Sequence, residues 1–395
     1  GYYILPKLSK HNDSFIINSY LPKWQEIKLQ LALGQCPQLW QSPPLNAVSI
    51  DLKMRRKFTI SSECHTGFEQ FIRDLLPDII PACYLEGYAE LNQQVGFLPW
   101  PSKPKFIFTS NNFEVDEIFK AWAGAKAEQG APYFTGQHGS NFGTVLGSQN
   151  WAEQVSADNF FSWGWTNGNI KNIPAFVYTI ANQAREIKPD GGLLLIETGA
   201  PCPHSLHDLY YEYGIYQEQQ FLFVEALPEK IHKQLTVRLA AAWRKLSWSD
   251  DKRWSDRMPS IHLEAGDAPI QKLIAKSRLV VHSYDSTGIL EGLASNIPTL
   301  CFWNGGLDHL LPNVKPYYEL LRGAGILADS PEHAALLVVQ YWDNIDGWWK
   351  SEQVQSARGR FCEQYARIEK HPVRTMKGLL TTAAISKNNQ TRNNA

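Results

Sequence analysis

The sequence predicts an α/β protein of two parallel-sheet halves joined by a linker. Two observations carry this. Short apolar runs alternate with segments of helical periodicity, once before Trp165 and again after Pro189, and strand–helix–strand order implies a parallel sheet. Between them, Trp165 to Pro189 carries Gly168, Pro174 and Pro189 in mixed polarity, as a linker does.

Taken in order, Ser14–Tyr20 reads as a strand and Lys23–Leu33 as a helix. Cys36–Pro44 is Pro-rich loop, and Gly67–Leu76 and Ala82–Gln93 read as helical. Lys105–Thr109 is a short apolar strand. Asp116–Gln129 places Ile118, Phe119, Trp122 and Ala125 at helical spacing and stops at Gly130-Ala131-Pro132. Tyr133–Thr135 and Asn159–Trp163 are the next strands. In the second half, Leu193–Glu197, Leu235–Leu239, Leu279–His282 and Thr299–Phe302 read as strands. Leu206–Leu227, Pro269–Ala275 and Thr287–Ala294 read as helices, and Trp243–Pro259 as a loop rich in Trp and charge. Ala334–Tyr341 and Glu352–Arg367 are helical, and the Asn-rich tail from Ser386 is expected to be mobile. The expected division is 1–170, 190–350, a helical region 351–385 and a tail 386–395.

Composition bounds the function. Of 395 residues, 44% are hydrophobic and 12% aromatic, enough to bury ordinary cores. Lys plus Arg number 38 against 39 Asp plus Glu, and this balance argues against nucleic acid as the main partner. The six cysteines form no C-x-x-C pair and no metal-finger spacing, so they read as reduced thiols of a cytoplasmic protein. There is no signal peptide and no apolar run of transmembrane length. The chain starts with Gly rather than Met, which suggests a piece of something longer. Fourteen tryptophans suit stacking on sugar rings, although core packing accounts for most tryptophans.

Four segments carry candidate chemistry. His282-Ser283-Tyr284-Asp-Ser286-Thr287, between an apolar strand and a helix start, puts short hydroxyls where a helix presents unpaired N–H groups, a place that suits phosphate. Helix capping is the plainer role for those hydroxyls. Glu291 follows about one turn later. Thr135-Gly136-Gln137-His138-Gly139 begins a glycine loop that also holds Gly143, with His138 as its proton-transfer candidate. This loop lacks the Gly-Lys-Ser/Thr ending of a P-loop and the spacing of a dinucleotide fingerprint. Asp158, just before an aromatic strand, and Glu86, in Tyr84-Leu-Glu-Gly-Tyr88, are carboxylates of the kind glycosyl chemistry uses in pairs, with Glu153 a weaker candidate. Arg238, at a strand end, heads a basic and aromatic region with Trp243, Arg244, Lys245, Trp248, Lys252, Arg253 and Trp254. It suits a phosphate or a sugar carboxylate. No Asp-x-Asp follows a strand, so neither metal nor cofactor is expected.

Gly136-Gln-His-Gly139, Asp158 to Trp165, Ser283-Tyr-Asp-Ser-Thr287 with Glu291, and Asn296-Ile-Pro298 with Phe302-Trp303 together resemble a family of bacterial surface-carbohydrate transferases, over about Phe15 to Lys370. That family is similar to the retaining β-Kdo transferases, which use CMP-Kdo. The resemblance implies a GT-B fold, two Rossmann-like domains facing a cleft, with C-terminal helices packing back toward the N-terminal domain. It implies CMP bound around Ser283 to Glu291, with the phosphate on Ser283, Ser286, Thr287 and Arg238. It also implies Asp158 as nucleophile, Glu86 as helper and His138 positioning donor or acceptor. The CMP-sugar is a substrate and the acceptor an oligosaccharide or lipid-linked glycan. The protein would be cytoplasmic, with room for peripheral association at the inner face of the inner membrane. Two readings stay open beside it: another nucleotide-sugar enzyme (an epimerase or a polyol-phosphate transferase), and a non-catalytic glycan-binding module.

Overall fold

The computed structural model describes residues 8–148, 151–181, 187–198, 209–241, 249–303 and 305–394. Cys202, Trp243, Arg244, Lys245 and Trp248 lie outside these residues. The chain divides into two compact units, 1–19 with 26–136 and 380–395, and 20–25 with 137–379.

In the first unit, β1 (Phe15–Ile16), β2 (Ile107–Thr109) and β3 (Tyr133–Gly136) pair in parallel, Phe15 opposite Ile107 and Phe108 opposite Phe134. Their side chains are almost all buried, which is why they read as continuous apolar runs. The Glu117–Glu128 helix places Ile118, Phe119, Trp122 and Ala123 on one face against them. Phe15 is the hub, with its ring centroid 4.7 Å from Trp100 and 4.4 Å from Trp122. These tryptophans are therefore core. Ala82–Gln93 is not one helix but a 3-10 turn, Ala82–Tyr84, and a helix, Tyr88–Gly96, separated around Gly87.

The second unit holds the parallel pair β4 (Asn159–Ser162) and β5 (Asn172–Pro174), then a five-stranded parallel sheet. Its strands are β6 (Gly192–Ile196), β7 (Leu235–Arg238), β8 (His262–Glu264), β9 (Ser277–His282) and β10 (Thr299–Cys301), ordered β10-β9-β6-β7-β8. Two connections step one way from β6, and the chain then crosses back to put β9 on its other side. This is the doubly wound Rossmann order, and its reversal falls between β6 and β9. Leu194, Ile196 and Val280 pack with Ile274 and Ile297 to cover the sheet.

The Thr287–Ala294 helix has the bounds the sequence suggests. It ends at Asn296, whose positive φ of 56° goes with bonds from Asn296 N to Leu293 O and from Ile297 N to Gly292 O. Three differences from the sequence reading have physical reasons. Pro174 ends a strand inside the presumed linker, a position a residue without an N–H tolerates. Asp250–Arg257 is a helix rather than a loop, because Asp250 and Trp254, one turn apart, are buried on one face of an otherwise charged segment. The Pro372–Asn394 helix runs through the tail expected to be mobile, where no Pro or Gly interrupts it after Gly378.

Candidate functional site

Ligands in doubly wound sheets sit beyond the carboxyl ends of the strands, where the strand order reverses. Here that point lies past Ile196 of β6 and His282 of β9, which pair with each other. The loop 283–286 leaves β9 and enters the Thr287–Ala294 helix. Ser286 caps this helix, its hydroxyl accepting from the Ile289 N–H at 3.3 Å, and it lies 3.2 Å from His282 Nδ1. The ring of the buried His282 fills the space beside Gly288, where any Cβ would strike it.

Ser283 turns inward. Fully buried, its hydroxyl lies 2.8 Å from Tyr216 Oη and 3.2 Å from the Ile196 carbonyl. Tyr216 Oη in turn accepts from the Thr198 N–H at 2.9 Å. Burial holds the Tyr216 phenol protonated, its pKa well above the usual value. Ser283 thus joins the ends of β6 and β9, while Tyr284 and Thr287 are half-buried.

The glycine loop is tied to this place. Thr287 Oγ1 accepts from the Ser140 N–H at 3.0 Å, and a Cβ on Gly139 would come within 2.9 Å of the same oxygen. Gln137, buried at the loop's root, donates to the Gly139 carbonyl. Its Oε1 accepts from Trp163 N and Trp165 Nε1, each at 2.8 Å. Gly143 lies on the Trp165 indole with φ of 66°, so neither its space nor its backbone admits a side chain. His138 is half-buried, its ring 5.7 Å from Tyr20 and 4.9 Å from Phe142. Farther along, Leu146 N donates to His309 O and Leu311 N to Thr144 O, both at 2.8 Å.

Of the remaining candidates, Arg238 pairs with Ile196 at this same carboxyl edge and Glu291 lies on this same helix. Asp158 precedes β4 at its amino end, whereas Trp163 and Gln137 meet at its carboxyl end. Four strand residues, about 13 Å of rise, lie between. Glu153 is buried in the short Ala152–Ser156 helix. Glu86, in the first unit, forms an ion pair with Arg55 at 2.7 Å, with both side chains 6% exposed. Hydrogen bonding from Arg55 holds its carboxyl down at about 2, against the effect of burial. Arg238 ends β7 and lies 3.5 Å from Glu264, its partner across β8. Glu291 is half-buried on the Thr287–Ala294 helix.

Two features escaped the sequence reading. Glu197, at the end of β6, is 3% exposed and accepts from Trp254 Nε1 at 3.0 Å. Burial, helped by the charge of Asp250, pushes its carboxyl up to about 8. It is therefore neutral near pH 7 and puts no negative charge at the strand ends. Asp285, inside the motif but passed over, accepts from the Tyr318 hydroxyl at 3.2 Å and lies 3.1 Å from His309 Nε2. His309 lies 24 residues downstream of Asp285, so no local pattern could pair them.

Residues 2–380 match the family model described as LIC12162 family transferase. No curated protein matches the chain. Among solved structures, the chain is similar to TarM at 10% identity and a TM-score of 0.39, with 71% of this chain covered. It spans about half, 54%, of TarM. It is similar to WaaG, a glycosyltransferase involved in lipopolysaccharide biosynthesis, at 13% identity and a TM-score of 0.38, covering 93% of this chain and 99% of WaaG. It is similar also to the spinosyn forosaminyltransferase SpnP, at 11% identity and a TM-score of 0.43, covering 95% and 100%. Among the described residues, no helix is long and apolar enough to cross a membrane.

Proposed function

This chain belongs to the LIC12162 family of transferases, and on that premise we propose that it is a GT-B glycosyltransferase that binds a nucleotide-sugar donor at the 283–287 loop. The observation that carries the reading is the reversal of strand order between β6 and β9, which leaves that loop and the start of the Thr287–Ala294 helix at the carboxyl ends of both strands. Ser286 takes up one first-turn N–H, and the Thr287 and Gly288 N–H groups of the same turn would serve the phosphate. The Thr287 hydroxyl would add a donor to the same anion. Leaving-group charge would then be met by donors fixed in advance.

The donor we propose is a CMP-activated 2-keto sugar acid such as CMP-Kdo, and the acceptor a surface glycan or its lipid-linked precursor. The sequence resemblance to retaining β-Kdo transferases supports this choice. The position of Asp158 at the amino end of β4 gives no support to an attack by it on the anomeric carbon.

The test is calorimetric titration of CMP, UMP, UDP and GDP into the full chain, repeated with Thr287→Val and Ser286→Ala. Selective CMP binding that weakens at least tenfold in Thr287→Val supports the reading. UDP or GDP selectivity moves the donor away from Kdo, and absence of binding by all four removes the glycosyltransferase assignment.

A further inference from the structure

The segment after β10 brings a histidine to the proposed site. Val145 and Leu310 form an antiparallel bridge, flanked by the bonds from Leu146 N to His309 O and from Leu311 N to Thr144 O. This clip holds His309 between the glycine loop and the loop after β9. There Nε2 lies 3.1 Å from Asp285 Oδ2, and the Tyr318 hydroxyl donates to the same carboxylate at 3.2 Å. The Trp303 ring stands edge-on to the imidazole at 6.0 Å. Asp285 is 9% exposed and His309 17%, so the pair is sheltered without being sealed.

A carboxylate only accepts. The neutral imidazole therefore keeps its proton on Nε2 and presents the lone pair on Nδ1. Among the described residues Nδ1 makes no hydrogen bond. Among the described residues, the charged or titratable groups facing the ring are Asp285 and, through it, Tyr318. The fully buried thiol of Cys301 lies close enough to Asp285 for that charge to raise it further, while Lys315 is turned to Asp308. An imidazole oriented by a carboxylate and left with one basic nitrogen is the arrangement general-base catalysis uses.

We propose that His309 accepts the proton of the incoming hydroxyl during transfer and that Asp285 is its positioning residue, an assignment that rests on the glycosyl-transfer reading. The hydroxyl proton passes to Nδ1 while the oxygen's electron pair forms the bond to the donor's anomeric carbon. The bond from that carbon to the leaving oxygen breaks, and its electron pair departs with the nucleotide phosphate, or with a carboxylate if the sugar has first been captured. Asp285 stabilises the imidazolium until it returns its proton to water.

The experiment measures nucleotide release from CMP-Kdo, UDP-glucose and GDP-mannose by the full chain, with water as the incoming hydroxyl, over pH 5.5–9. Nucleotide affinity and folding are followed in parallel. In His309→Gln, the rate on whichever donor the wild type uses falls about 100- to 1,000-fold, and nucleotide affinity stays within about threefold. His309→Gly regains part of its rate when free imidazole is added, which a merely structural loss would not show. Asp285→Asn lowers the rate about tenfold at unchanged nucleotide affinity. If His309→Gln does not fold, the split between rate and affinity in Asp285→Asn still reports. An unchanged rate in His309→Gln, a parallel loss of affinity, or a wild-type rate in Asp285→Asn overturns the pair alone. A wild type that turns over none of the three donors overturns the parent reading and the pair with it.

Discussion

Glu197→Gln tests the electrostatics of the β6 end. In the folded protein, burial holds the Glu197 carboxyl protonated up to about 8, against 4.5 for the free side chain. Between those values the folded chain carries a proton that the unfolded chain has released. Stability contributed by a raised pKa is fully present below 4.5 and drains away as pH climbs toward 8. At about 1.4 kcal/mol per pH unit the loss reaches a ceiling of about 5 kcal/mol, which is much of a domain's usual margin of about 5–15 kcal/mol. Gln keeps the carbonyl oxygen for Trp254 Nε1 and has no proton to lose. Urea unfolding at pH 5, 6, 7 and 8 should therefore show variant and wild type close together at pH 5, with the variant pulling ahead by several kcal/mol at pH 8. A difference that does not grow with pH would refute the reasoning, because it would mean that Glu197 ionises without cost where it sits.

Other substitutions probe the frame. Gln137→Leu leaves the Trp163 N–H and the Trp165 indole N–H buried without acceptors, and should cost about 2–4 kcal/mol in urea unfolding. Gly288→Ala drives a methyl into the His282 ring; overpacking of this kind costs about 1–3 kcal/mol and should lower the thermal midpoint as well as nucleotide affinity. Arg55→Met frees Glu86, whose carboxyl is depressed to about 2. In the wild type that contribution is present above pH 4.5 and lost as pH falls toward 2, so this acid limb should vanish in the variant.

The fold was legible where burial is two-sided. Leu193 to Ile196 and Leu279 to Val281 read as strands because parallel strands covered on both faces leave no polar alternation. The Thr287–Ala294 helix was legible from its Ser286 cap and apolar spacing. His262–Glu264 and Asn172–Pro174 were not, since edge strands of three residues carry too little pattern. At the site, the 283–287 loop could be found from the strand–loop–helix order, but not the direction each hydroxyl takes. Ser283 turns in to Tyr216, which comes from a distant helix. Glu86 read as a reactive carboxylate among aromatics, but its partner Arg55, 31 residues earlier, could not be read from the local pattern. Asp285 and His309 are the reverse case, two ordinary residues given meaning by a tertiary contact.

The bond from Ser140 N to Thr287 Oγ1 bears on the order in which substrates load. Thr287 stands on the first turn of its helix, so an anion arriving there would accept its hydroxyl proton and fix the rotor whose lone pair Ser140 uses. The glycine loop is then not indifferent to occupancy at the helix. Its other anchors, Gln137 at the root and the clip to 309–311 beyond, restrict how far it can adjust. If the acceptor binds against the glycine loop and the donor at Thr287, the two are expected to fill in sequence rather than at random. Steady-state kinetics would then show a compulsory order, with the nucleotide competing against the donor and acting noncompetitively toward the acceptor.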